Sequence, residues 1–156
     1  RMLLFTIGAK DNARPVTRAQ GEATLLKHLQ SRGLDVTGIV IDNGSGLSRT
    51  TRVSSRFMTA LLRQAWHAPH MPEFMASLSI AGVDGTMRRR FRTGAERGRM
   101  HLKTGSLQNV SAVAGYVHAQ NGKTYAVNVM VNYANANYGI GTELQNALLS
   151  WVYKQP

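Results

Sequence analysis

Apolar residues recur at helical spacing in three stretches of the chain and at a spacing of two in a fourth. Ala19, Ala23, Leu26 and Leu29 share one helical face. Thr17 and Gln20 stand ready as a capping box ahead of it, and Gly33, after Arg32, suits the turn that ends it. Phe57, Leu61, Leu62, Ala65 and Trp66 form a second face, with Ser54 or Ser55 to cap it and Pro69 and Pro72 to stop it. A short helix over 73–78 follows. The period then changes. Residues 100–106, 110–119 and 123–133 read as strands, and in the last of these Tyr125, Val127, Val129, Val131 and Tyr133 alternate with Ala126, Asn128, Met130 and Asn132. Asn121-Gly122 predicts a hairpin with a type I′ turn, in which both residues take positive φ. Leu144, Ala147, Leu148, Trp151 and Val152 predict a closing helix whose apolar stripe covers the sheet. A β-branched run over 37–42 reads as a further short strand, followed by a Gly/Ser-rich loop over 43–48. The layout is α/β in the α+β sense: helices, then an antiparallel meander, then a helix to cover it.

A chain of 156 residues has the size of one domain and buries enough surface to fold without a staple. It contains no cysteine, which excludes disulfide frameworks, thiolate metal sites and a cysteine nucleophile. Nineteen Lys and Arg against eight Asp and Glu leave a net charge of +11. The cations concentrate over 49–63 and 88–99. Such an excess attracts polyanions but says nothing of fold. The apolar run over 2–7 is too short for a transmembrane segment. The chain enters that run from Arg1 without a cap or turn, so it reads as a cut made inside an element of a longer protein.

Lys103-Thr104-Gly105-Ser106, at the end of a predicted strand, carries the chemistry. A lysine on an edge strand offers an ammonium to a carboxylate, and the Thr and Ser hydroxyls donate hydrogen bonds beside it. Glycine between them lets a ligand backbone approach the strand. An extended, carboxylate-ended peptide could then lie alongside the sheet edge. Three further blocks stand in order around it: Asp42-Asn43-Gly44-Ser45-Gly46-Leu47-Ser48-Arg49, 81–91 (Ala-Gly-Val-Asp-Gly-Thr-Met-Arg-Arg-Arg-Phe), and 110–117 (Val-Ser-Ala-Val-Ala-Gly-Tyr-Val). Together these four blocks resemble the C-terminal part of the type-4 low-molecular-mass penicillin-binding proteins, the serine D-alanyl-D-alanine carboxypeptidases and endopeptidases of peptidoglycan metabolism.

The resemblance implies part of the penicillin-binding-protein/β-lactamase-like transpeptidase fold, an antiparallel sheet flanked by helices. Residues 1–156 would be the C-terminal portion of that domain, and 123–133 an interior strand whose next neighbour comes from an N-terminal remainder of the same protein. Members carry S-x-x-K with the nucleophile, S-x-N, and K-T-G. Neither of the first two occurs here; Ser150 and Lys154 are one residue too far apart. The nucleophile is therefore expected outside this chain. By resemblance Lys103 is the catalytic cation, and Thr104, Gly105 and Ser106 bind substrate. The implied partners are stem peptides ending in D-Ala-D-Ala, and β-lactams. The implied location is the periplasm, with no cofactor or metal.

The remaining polar clusters read as structural. The loop over 43–48 is not a nucleophile elbow, and its hydroxyls are expected to serve backbone groups. His28, His67, His70, His101 and His118 are scattered, and His67 and His70 lack a third ligand for a metal. Arg88-Arg89-Arg90-Phe91-Arg92 reads as a solvated face. The rival reading makes it a phosphate-binding run with an aromatic to stack, part of a basic nucleic-acid module. A second rival is a non-catalytic wall-peptide-binding domain.

Overall fold

A computed structural model describes residues 2–11 and 13–156; Arg1, on which the expected cut falls, lies outside the described residues. The chain divides into two compact units, Arg1–Phe57 and Met58–Pro156.

In the first unit, α1 (Met2–Gly8) packs on α2 (Arg18–Ser31). The capping box forms as the sequence predicts: the Thr17 hydroxyl accepts from the Gln20 amide, and the Gln20 side chain accepts from the Thr17 amide. The run over 37–42 is not a strand. Gly38 has φ +73° and Ile39 donates back to the Val36 carbonyl, so the chain turns and only Val40 pairs, as a single bridge with Arg52. The Gly/Ser loop behaves as expected. The Ser45 hydroxyl accepts from the Leu47 amide, and the Ser48 hydroxyl accepts from the amides of Thr50 and Thr51.

In the second unit, α4 (Met71–Ala76) follows α3 (Ser55–Trp66), which begins at the predicted cap: the Ser54 hydroxyl accepts from the Phe57 amide at 3.1 Å. Pro72 sits in the first turn of α4, where its missing N–H costs nothing, so it starts a helix as well as ending one. Four antiparallel strands make a meander in the order β1 (Ser79–Ile80), β2 (Met100–Leu107), β3 (Val110–His118), β4 (Thr124–Asn132). Three of these match the predicted strands within a residue or two; β1 is too short to leave a periodic trace. Gly115 holds β3 against β2, because a Cβ there would lie 2.1 Å from the His101 carbonyl oxygen and φ is +147°. At the β3–β4 turn only Gly122 has positive φ, so the turn is not type I′. Ala119 and Lys123 close a three-residue loop, and the Asn121 amide reaches the Tyr125 hydroxyl and the Pro156 carbonyl.

One sheet face carries Met100, Leu102, Val113, Val117 and Val127, and α5 (Ile140–Tyr153) covers it through Leu149 and Tyr153. The opposite face buries Tyr116 against Leu62 and Leu78, and the Tyr116 hydroxyl donates to the Leu62 carbonyl at 2.7 Å. Of the predicted stripe of α5, Val152 packs against the core, and the rest is about one residue out of phase with the observed core face. Gln145, Leu149 and Tyr153 point inward, while Leu144, Leu148 and Trp151 (63 % exposed) point out. The cause is a buried polar network. The Gln145 amide donates to the Ser111 hydroxyl at 2.9 Å, and its carbonyl oxygen accepts from the Arg90 guanidinium at 3.1 Å. Among the described residues, strand β4 has β3 on one side and no strand on the other.

Candidate functional site

Lys103, Thr104, Gly105 and Ser106 all lie on β2, paired on one side with Ala114, Val113, Ala112 and Ser111 of β3. On the other side β1 pairs only with His101 and Leu102. From Lys103 onward, the outer edge of β2 therefore has no strand partner among the described residues. Lys103, Gly105 and Ser106 are exposed and Thr104 is half-buried. The Lys103 ammonium donates to the Thr104 carbonyl. A Cβ at Gly105 would meet nothing closer than the Ala112 Cβ, at an ordinary 3.7 Å. Internal packing does not require a glycine there. The space beside it is open to something from outside.

The other end of the same edge is held by a segment that periodicity does not reveal. Asp84 accepts from the Ile80 amide at 2.6 Å, and the short 3₁₀ turn Gly85–Met87 brings Thr86 over the strand. Ser79 accepts from the Thr86 amide at 3.3 Å, and Thr86 and Thr104 share a hydroxyl hydrogen bond of 2.8 Å. Thr86 lies inside one of the blocks that carry the resemblance, but no spacing rule pairs it with a residue 18 positions later. At the far end, the β2–β3 turn is pinned by asparagines. The Asn109 amide donates to the Asn137 side chain at 2.8 Å, and the Asn109 side chain accepts from the Asn135 amide at 3.0 Å.

Behind the strand, His101 and His118 meet edge to face at 5.5 Å, with the Trp66 ring 6.4 Å from His118. Burial, then His101 and Arg99, hold the His118 pKa below its ordinary value. Both histidines fall on strands as expected. Among the described residues no three acidic or imidazole groups converge as a metal cluster would need.

The arginine run is not the uniform solvated face that the sequence implies. Arg90 turns inward, donating to Asn146 at 2.7 Å and to Gln145, and burial pushes its pKa down. Phe91 packs against the core. It is not free to stack on a base, which removes the aromatic half of the nucleic-acid reading.

The sequence profile of the D-Ala-D-Ala carboxypeptidase 3 (S13) family matches residues 1–154. A D-alanyl-D-alanine carboxypeptidase of Actinomadura is 37% identical over 127 residues, covering 78% of this chain and 23% of the relative. A carboxypeptidase of Mycolicibacterium smegmatis is 31% identical over 140 residues, 81% of this chain and 30% of its own length. The crystal structure of penicillin binding protein 4 of Haemophilus influenzae in complex with a β-lactam superposes with a TM-score of 0.84 at 24% identity, over 97% of this chain and 37% of that one. The fold is thus shared along almost all of the chain, which spans about a quarter to a third of these relatives.

Proposed function

Because this chain belongs to the D-Ala-D-Ala carboxypeptidase 3 (S13) family, we propose that it is the C-terminal portion of a serine D-alanyl-D-alanine carboxypeptidase or endopeptidase acting on peptidoglycan stem peptides in the periplasm. The observation that carries the reading is the unpaired length of β2, with Lys103, Thr104 and Ser106 around a glycine that internal packing does not call for. An extended peptide laid along that edge meets backbone N–H and C=O groups in strand register. The Lys103 ammonium faces its terminal carboxylate, and the hydroxyls of Thr104 and Ser106 donate to it. Thr86 assists without touching the ligand. Without ligand the Thr104 hydroxyl donates to Thr86 and is held over the edge; it turns that proton from Thr86 to the carboxylate when the peptide docks.

The remainder of the protein supplies the S-x-x-K serine and the S-x-N segment. That serine attacks the penultimate D-Ala carbonyl, D-Ala leaves, and water hydrolyses the acyl-enzyme. On this reading a backbone N–H of the β2 edge serves as one oxyanion donor. A β-lactam stops at the acyl stage. Among the described residues no helix is long and apolar enough to cross a membrane.

Fluorescent penicillin separates the roles. The complete protein should take a saturable covalent label, and the isolated 156-residue chain none, because no S-x-x-K occurs in it. A label mapped to a serine of this chain would overturn the assignment.

A further inference from the structure

The three exposed arginines that the inward turn of Arg90 leaves in the run meet Arg97 from the next segment. Arg88, Arg89, Arg92 and Arg97 line one concavity of about 410 Å³ with Gly82 at its floor. The convergence is built by the backbone. The Gly82 amide donates to the Met87 carbonyl, and its Cα lies so near the 88–92 segment that a Cβ would sit 2.4 Å from the Phe91 carbonyl oxygen. Phe91 itself has φ +57°, a left-handed conformation that costs a non-glycine residue and that lets the chain reverse with its ring still in the core. Arg97 crosses from the next segment and donates from Nε to the Gly82 carbonyl at 3.3 Å.

Among the described residues, no carboxylate pairs with Arg88, Arg89, Arg92 or Arg97. Asp84 accepts from the Ile80 amide and Glu96 from the Ser150 hydroxyl, so the two carboxylates nearest in sequence lower the local charge without pairing with a guanidinium. Like charges held together repel, and an anion placed between them removes that repulsion while gaining forked, bidentate hydrogen bonds.

We propose that this concavity is a binding site for a phosphate ester, separate from the β2 edge and independent of the peptidase reading. Guanidinium forks match phosphate oxygens, and the volume admits one phosphate with its ester group. The ester can be free in solution or the headgroup of an anionic lipid.

The test uses the complete protein with two probes, glycerol 1-phosphate by calorimetry and vesicles of phosphatidylglycerol against phosphatidylcholine by flotation. Arg88→Ala/Arg92→Ala is compared with Lys10→Ala/Lys27→Ala, which removes the same charge elsewhere. Saturable binding of either probe that falls at least tenfold in the arginine double variant, and less than twofold in the lysine one, supports the site. Dependence seen with both probes makes the free ester sufficient; with vesicles alone it assigns the lipid headgroup. Arg88→Lys/Arg92→Lys, which keeps the charge and disturbs folding least, should still lose severalfold. Equal losses in the two alanine variants, full binding in the lysine-for-arginine variant, or no saturable binding of either probe would overturn the proposal.

Discussion

Lys103 and Lys123 differ in place and not in charge, which makes them a matched pair. In the complete enzyme Lys103→Ala should slow acylation by penicillin at least tenfold, since a charge-assisted hydrogen bond contributes about 1.5–3 kcal/mol. Lys123→Ala, beside the hairpin loop, should be near neutral. Equal losses would mean that overall charge explains Lys103. In the same assay Thr86→Val should cost about 2- to 10-fold, the worth of a neutral hydrogen bond, and Thr86→Ser should restore the rate. His118 gives a pH signature. Its folded pKa lies below the ordinary 6.5, so the unfolded chain takes the proton first as pH falls. Its stabilising contribution is whole above that value and drains away towards the lower folded pKa. Melting temperature should therefore fall more between about pH 8 and about pH 5.5 in the parent than in His118→Gln; parallel curves would refute this.

Elements whose partner is local were legible, and those whose partner is distant were not. The capping box at Thr17 and Gln20 needs residues three apart, and the period-two run of β4 needs only itself. Strand β1 exists only because β2 passes beside it, 20 residues on, and the phase of α5 is set by Ser111 and Arg90 acting through a buried glutamine. A polar residue in the core position hid the true face, and an apolar tryptophan in the exposed position advertised the wrong one. The site followed the same division: Lys103 to Ser106 are contiguous and readable, whereas Thr86 reaches Thr104 only through the fold. At Gly115 the sequence carried a fold requirement inside a motif. Gly115→Ala must relieve the contact with the His101 carbonyl and adopt a backbone angle unsuited to a side chain, a strain of about 1–3 kcal/mol before any shift of β2. A melting temperature unchanged from the parent would show that β2 and β3 are not held as described.

Within the second unit, besides the β2 edge, the outer edge of β4 has no strand partner among the described residues, and Leu144, Leu148 and Trp151 of α5 stay exposed. The isolated chain should self-associate at a regular strand edge flanked by apolar side chains. Adding the N-terminal portion in trans should raise its melting temperature and reduce the association on size-exclusion chromatography. A sharply melting monomer indifferent to that addition would count against the C-terminal-portion reading. The chain-order meander has a temporal consequence too. Strands β2, β3 and β4 are joined by loops of a few residues, and such hairpins close in about 1–10 μs. Strand β1 must close over residues 81–99 to find β2, and loop-closure entropy grows with that span. It should dock last and open first. The amides of Ala81 and Gly98, bonded across that junction, should exchange with deuterium well before those of Val113 and Val127. If so, the clasp that steadies Thr104 is also the most transient part of the sheet, and the rate at which it lets go sets a clock for when the edge is rigid enough to hold a peptide.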